Sequence, residues 1–162
     1  MPKVKPQHLL ETSWSMYFNR YDASLGAQST GVKYSDFTTS LKKVGSMDNI
    51  EDFFACYRQF KDPDQLPNGS NVYLFRQDKL PAWESFPQGG CWLIKVRKKN
   101  RIINRLWEEL LFAAIGELFE SPHVVGVALS ARNRDDNISV WTKYAQSDVR
   151  IAIGEKLKEI LN

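Results

Sequence analysis

Val72-Tyr73-Leu74-Phe75, Leu80-Pro81-Ala82-Trp83-Glu84 and Cys91-Trp92-Leu93-Ile94-Lys95-Val96 follow one another in the middle of the chain. The first and third segments read as strands. The second is a connection that stays out of regular pairing, because Pro81 has no N–H and its ring fixes φ. The chain therefore leaves a sheet, holds a flat indole and a carboxylate on a stiff turn, and returns to the sheet. That pair suits a flat cationic ligand with hydrogen-bond donors along its edge. The indole face attracts the cation, and Glu84 accepts two N–H bonds. Taken alone, a Trp-Glu pair more often means an indole plugging the core beside a solvated acid, so the flanking sequence decides.

Working outward, Trp14 to Phe18 reads as a first strand with Trp14, Met16 and Phe18 on one face. Met1 to Gln7 is a loose arm, and the small polar residues from 19 to 31 form a long mobile loop. Val32 to Val44 reads as irregular, leading into a helix. Asn49 is that helix's N-cap, with Asp52 three residues on, and Ile50, Phe53, Phe54, Tyr57 and Phe60 follow at helical spacing before Lys61-Asp62-Pro63-Asp64 ends it. A second amphipathic helix runs from Asn104 to Phe119, with Leu106, Trp107, Leu110, Leu111, Ala114, Ile115 and Leu118 on its apolar face; Ser121-Pro122 stops it. Val124–Leu129 and Ile138–Thr142 form a hairpin around Asn133-Arg134-Asp135-Asp136-Asn137. A last helix starts at Ser147 and buries Val149, Ile153, Leu157, Ile160 and Leu161. No repeat or linker divides the chain. The expectation is one α+β domain over residues 1–162, an antiparallel sheet with helices on one face.

Composition narrows the function. With 162 residues, 43% hydrophobic and 25% charged, the chain supports a globular core. A net charge of +3 is too mild for wrapping long duplex, so an anionic partner is small or locally held. Cys56 and Cys91 read as reduced thiols rather than a disulfide. Neither a signal peptide nor an apolar run long enough for a bilayer is read, and a soluble cytoplasmic or nuclear protein is expected. His8 and His123 have no partners at ligand spacing, and no nucleophile elbow, phosphate-binding glycine loop or cysteine pair occurs. Glu108-Glu109 reads as a solvated helix face. No enzyme, metal or cofactor is expected.

Five tryptophans and 12% aromatic residues are a high share; buried rings explain most of it, and a ring-stacking site would use some. Three features accompany the Trp83 turn. Phe37, or Tyr34, offers a second ring just after the mobile loop. Arg132 and Arg134 at the hairpin loop form a natural phosphate clamp. Trp141 lies on the hairpin's second strand. Together they suit a charged nucleobase with its phosphates.

The sequence here resembles the eukaryotic translation initiation factor 4E family of mRNA cap-binding proteins. The resemblance lies in Asn49-Ile50-Glu51-Asp52-Phe53-Phe54, Leu80-Pro81-Ala82-Trp83-Glu84, Gly89-Gly90-Cys91-Trp92-Leu93-Ile94, Leu106-Trp107-Glu108-Glu109-Leu110-Leu111 through Ile115-Gly116-Glu117, and Ile138-Ser139-Val140-Trp141. It implies a curved antiparallel sheet with three helices on its convex face. It also implies the 7-methylguanosine cap as ligand, stacked between Trp83 and Phe37, with Glu84 reading the guanine edge, Trp141 touching the methyl group, and Arg132 and Arg134 at the phosphates. Tyr34 is the alternative second ring.

The resemblance further implies that the helical face binds peptides of the type Tyr-x-x-x-x-Leu-apolar from scaffold factors and repressors. The matching positions are His8, Ile50, Phe54, Glu109, Phe112 and Gly116, in a monomer serving translation initiation. Several residues depart from the pattern: Phe37 and Phe54 stand in place of tryptophans, Leu9 of a proline, Asn137 of a lysine and Cys91 of an arginine. The family's usual last strand and cap-closing loop would lie past Asn162, and the sequence reads as a divergent or C-terminally short member. Two further readings stand beside an initiation factor: a repressor-type homologue that holds the cap without recruiting, and an interaction module with weakened cap binding.

Overall fold

The computed structural model describes residues 7–20 and 34–162, with side chains from Phe37 onward in the second stretch. The expected arm over 1–7, apart from Gln7, and most of the expected loop over 19–31 lie outside the described residues, as does the Tyr34 side chain. Six strands are described: β1 (Leu9–Arg20), β2 (Lys42–Asn49), β3 (Ser70–Arg76), β4 (Gly90–Arg97), β5 (Val124–Ser130) and β6 (Asp135–Thr142). They form one curved sheet in the order β2-β1-β3-β5-β6-β4, with every neighbouring pair antiparallel. The helices are α1 (Tyr34–Ser40), α2 (Ile50–Tyr57), α3 (Ile102–Ile115) and α4 (Ser147–Ile160).

The alternation of side chains along each strand sorts residues between two cores. Trp14 and Met16 of β1, Val72 and Leu74 of β3, and Ile138 and Val140 of β6 point to the convex back. There Phe53 of α2, Leu110 and Leu111 of α3, and Ile153 and Leu157 of α4 close over them. Each fully buried large apolar side chain contributes roughly 1.5–3 kcal/mol relative to exposure, so this layer dominates the stability. Their in-between neighbours, Tyr17, Tyr73, Phe75 and Trp141, point forward into a smaller aromatic cluster. The expected α+β architecture, with three helices on one face, is what forms. The short α1 lies on the other side, where Phe37 and the following Leu41 pack against the forward cluster.

Three expectations need correction. The stretch Val32 to Val44, read as irregular, holds the short helix α1 and the start of strand β2, which runs on to Asn49. The segment is polar, but it is an edge strand whose pairing with β1 sets its conformation, with Trp14 opposite Met47 and Met16 opposite Gly45. The helix capped by Asn49 ends at Tyr57, although Phe60 still reaches the back core beside Phe18, ring centroids 6.3 Å apart. The next helix stops at Ile115. Gly116 caps it, Glu117 adopts a left-handed φ of 58°, and Leu118 turns out into solvent, 55% exposed. Arg76 holds that turn to the sheet: its guanidinium grips the Glu117 carboxylate and lies 4.5 Å from the Trp14 ring centroid. Both cysteines are free, as expected.

The cap of α2 ties sequence to stability most directly. The buried Asn49 side chain accepts the Asp52 N–H at 2.8 Å and returns a bond to the Asp52 carboxylate at 2.7 Å. Asn49→Ala should cost about 1 kcal/mol, read as a lower urea midpoint with an unchanged slope. A midpoint equal to wild type would show that the cap contributes nothing.

Candidate functional site

The forward face is built on two close strand pairings. Cys91 of β4 stands opposite Trp141 of β6, and β5 bulges between Val124 and Gly126 so that Gly126 also meets Trp141. A Cβ at Gly126 would lie 2.5 Å from the Phe75 ring. The absence of a side chain there lets Phe75 lie against the sheet and meet Trp141 edge-on, centroids 5.3 Å apart. The Trp141 Nε1–H donates to the Ser139 hydroxyl at 3.2 Å, which fixes the indole in its plane.

The Trp83 turn sits over this floor. Pro81 and Ala82 are buried and anchor it, and Trp83 begins a single 3-10 turn through Ser85. Its indole is 47% exposed, so it is not a core plug. One face lies on Trp141, centroids 4.0 Å apart and planes 15° from parallel; the rest faces solvent. Glu84 is exposed and makes no hydrogen bond or ion pair with the described residues.

The structure does not bring Phe37 to Trp83. Phe37 meets Tyr73 edge-on, centroids 6.3 Å apart. Its carbonyl accepts from the Ser40 hydroxyl at 2.8 Å and from the Leu41 N–H at 3.1 Å, which closes the end of α1 over the forward cluster. The ring opposite Trp83 is Trp141, and the sandwich expected between Trp83 and Phe37 is not formed here. A chain of ring contacts nonetheless runs from Phe37 through Tyr73, Phe75 and Trp141 to Trp83.

At the other end of this face lie the arginines. The Arg132 guanidinium donates to the Asn71 side-chain oxygen at 2.9 Å and to the Ala131 carbonyl at 3.1 Å. Asn71 in turn donates to Asn19 at 2.8 Å, and Asn19 to the Ser40 hydroxyl at 3.4 Å. The backbone N–H of Arg132 reaches the buried Asp136 carboxylate at 3.2 Å, which pairs with Lys98 at 2.8 Å. Arg134 is exposed on the loop between β5 and β6. Sequence reasoning missed Asn19 and Asn71. The signal was an amide at the end of each apolar strand run, at positions whose neighbours point inward; a buried amide needs partners.

The six residues expected on the helical face also take definite places. Phe54 and Phe112 touch across α2 and α3, centroids 6.0 Å apart, and Phe112 is 37% exposed. Ile50 is exposed beside them. His8 packs at the start of α2: its carbonyl accepts the Ile50 N–H at 2.8 Å, and its ring meets Glu51 at 2.6 Å, which holds the Glu51 carboxyl below its ordinary range. Glu109, Phe112 and Gly116 fall at three- and four-residue steps along α3, on one side of it, and Arg105 pairs with Glu109 at 2.9 Å. Tyr57 donates to Glu108 at 3.0 Å; burial first, then this acid, push its hydroxyl up to about 12. No group of three His, Cys, Asp or Glu side chains among the described residues is placed to hold a metal ion.

A cupped antiparallel sheet with rings on its inner face and three helices behind it is the fold of the cap-binding initiation factors. Crystallised Ascaris suum eIF4E-3 in complex with an m2,2,7G cap superposes with a TM-score of 0.84 at 32% identity, covering 96% of this chain and 85% of that one. Caenorhabditis elegans eIF4E-3, in complex with the 4E-binding protein Mextli and a cap analogue, gives a TM-score of 0.82 at 31% identity, over 96% of this chain and 86% of that one. Eukaryotic translation initiation factor 4E of Dictyostelium discoideum is 35% identical over 99% of the chain, which spans 62% of that relative's length. The family model for eukaryotic initiation factor 4E matches residues 9–162. The chain belongs to the eukaryotic initiation factor 4E family.

The near-parallel indoles give this face an optical signature. The protein should show an exciton couplet in circular dichroism from the Trp83–Trp141 pair, lost in Trp83→Ala while the amide signal stays. A couplet that survives the substitution would mean that the two rings do not stack in solution.

Proposed function

We propose that this chain binds the 7-methylguanosine cap of mRNA on its forward face and links the capped message to translation initiation through a helical partner on α2 and α3, acting in the cytoplasm and as a binding protein rather than an enzyme. The observation that carries this reading is the exposed Trp83-Glu84 pair on a stiff turn, with Arg132 held by Asn71 at the far end of the same face and Arg134 exposed on the adjoining loop. Methylation at N7 makes guanine cationic and electron-poor. Stacking that purine on an indole is worth about 2 kcal/mol once water is excluded. Glu84 then accepts from N1–H and the exocyclic amine, bonds that contribute about 1.5–3 kcal/mol each because the acceptor is charged. The methyl group lies toward Trp141, and the phosphates run toward the arginines. Cap-bound relatives of the same fold support this assignment.

The stack of Trp83 on Trp141 favours a second reading, a homologue with weakened cap binding. A purine between the two indoles requires their separation to roughly double. A purine on the outer face of Trp83 gains a sandwich only if Phe37 leaves Tyr73. Either rearrangement lowers the apparent affinity by the fraction of molecules already open.

The partner surface follows the helix-in-groove pattern. Exposed Ile50 and Phe112, with half-buried Phe54 between them, offer apolar anchorage. Glu109 supplies a carboxylate beside them.

Tryptophan fluorescence separates these readings. A methylated cap analogue should quench it at lower concentration than the unmethylated nucleotide, and equal responses would end the stacking assignment. Glu84→Ala should weaken the methylated nucleotide by about tenfold or more; undiminished binding would place the guanine edge elsewhere. A Tyr-x-x-x-x-Leu-apolar peptide should bind wild type and lose affinity for Phe112→Asp. A peptide that ignores that change does not use this face.

A further inference from the structure

Strand β4 carries a cation on the forward face that neither the aromatic cluster nor the hairpin arginines account for. Residues directly opposite in an antiparallel pair share a face. Cys91 is opposite Trp141, Leu93 opposite Ser139, and Lys95 opposite Asn137. Trp141 and Ser139 are joined on the forward side, so Lys95 stands on that side as well. The intervening residues confirm the sorting: Ile94 and Val96 join the back core.

The charges around Lys95 are unevenly committed. Lys98 is taken by the buried Asp136 at 2.8 Å. Arg132 is drawn to Asn71. Arg97 stands opposite the half-buried Asp135 without an ion pair between them, and Asp135 is also the carboxylate diagonal to Lys95. Lys95 itself is exposed, faces the neutral Asn137 and makes no ion pair among the described residues. Asn137 presents a buried side-chain oxygen with no protein partner.

Distance sets what this ammonium can reach. Lys95 lies four residues along β4 from the position opposite Trp141, about 13 Å at 3.3 Å per residue. A nucleotide whose base lies at Trp83 and Trp141 carries its phosphate chain over such a span, and the chain passes between β4 and the hairpin loop. We infer that Lys95 is a phosphate-binding residue of this site, contacting the outer phosphates of a 5′-5′ polyphosphate from the side opposite Arg132 and Arg134. This rests on the cap-binding reading and adds to it a residue that sets how strongly the site depends on phosphate number.

Titration of wild type, Lys95→Gln and Lys95→Arg with 7-methyl-GTP and 7-methyl-GMP at several salt concentrations tests the assignment. Lys95→Gln should weaken the triphosphate about fivefold, the size of an exposed charge contact, and reduce the log–log salt slope by about 1. It should leave the monophosphate within about twofold of wild type, and Lys95→Arg should retain triphosphate affinity. If wild type binds both nucleotides and Lys95→Gln alters neither, or weakens both equally, the assignment of Lys95 falls while cap binding stands. If wild type binds neither, cap binding falls and the role of Lys95 with it.

Discussion

The structure depends on one sheet with two apolar faces of which only one is fully covered. Alternation sends Trp14, Met16, Leu74 and Ile138 to the back, where three helices bury them almost completely. The same alternation must send Tyr17, Tyr73, Phe75 and Trp141 forward. There the covering is thin: α1 with Leu41 at one end and the Trp83 turn at the other. A protein that needed only stability would place polar residues on such a face. Rings kept there without a full second layer are an economical way to make a flat, polarisable floor.

That floor is self-complementary, and this shapes the chemistry. Trp83 covers Trp141 at 4.0 Å, a contact worth about 0.5–1.5 kcal/mol beyond the area it hides. A flat ligand that enters between the two rings competes with this contact directly. An electron-poor cationic ring wins such a competition more readily than a neutral one, because the indole face rewards positive charge. The stacked pair therefore sets a common threshold: it lowers affinity for all such ligands alike, and any preference for a charged base comes from that base's own attraction to the indole face.

Much of the architecture was legible because its signals are local. Asn49 with Asp52 announced a helix start, the Leu-Trp face announced α3, and strand runs flanked the Pro81 turn. Strand β2 was hidden because its polar sequence carries no periodicity; its conformation comes from β1, a long-range partner. The early stop of α3 was hidden because a left-handed Glu117 and the grip of Arg76 decide it, and neither is visible as a spacing. On the forward face, residue type and context pointed to an exposed Trp83-Glu84 pair, and the structure shows both residues exposed with Trp141 beneath the indole. The placement of Phe37 was not legible in this way. A stacking role follows from chemistry, but which ring a given ring meets is settled by packing among several of nearly equal affinity for one another.

The two ends of the site are mechanically joined, and the joint is polar. Arg132 leans on Asn71, Asn71 on Asn19, and Asn19 on Ser40, whose hydroxyl closes the turn at Phe37. Buried amides of this kind hold their geometry because each unpaired donor would cost about 1–3 kcal/mol. Movement of α1 to bring Phe37 toward a bound base would stretch the Asn19–Ser40 contact, the longest link at 3.4 Å. An anion drawing Arg132 off Asn71 would loosen the same series from its other end. In the proposed cap complex, phosphate engagement and ring closure would then act on one set of hydrogen bonds. A ligand carrying both a stacked base and a phosphate releases that set from both sides, whereas a ligand with only one of them works against it.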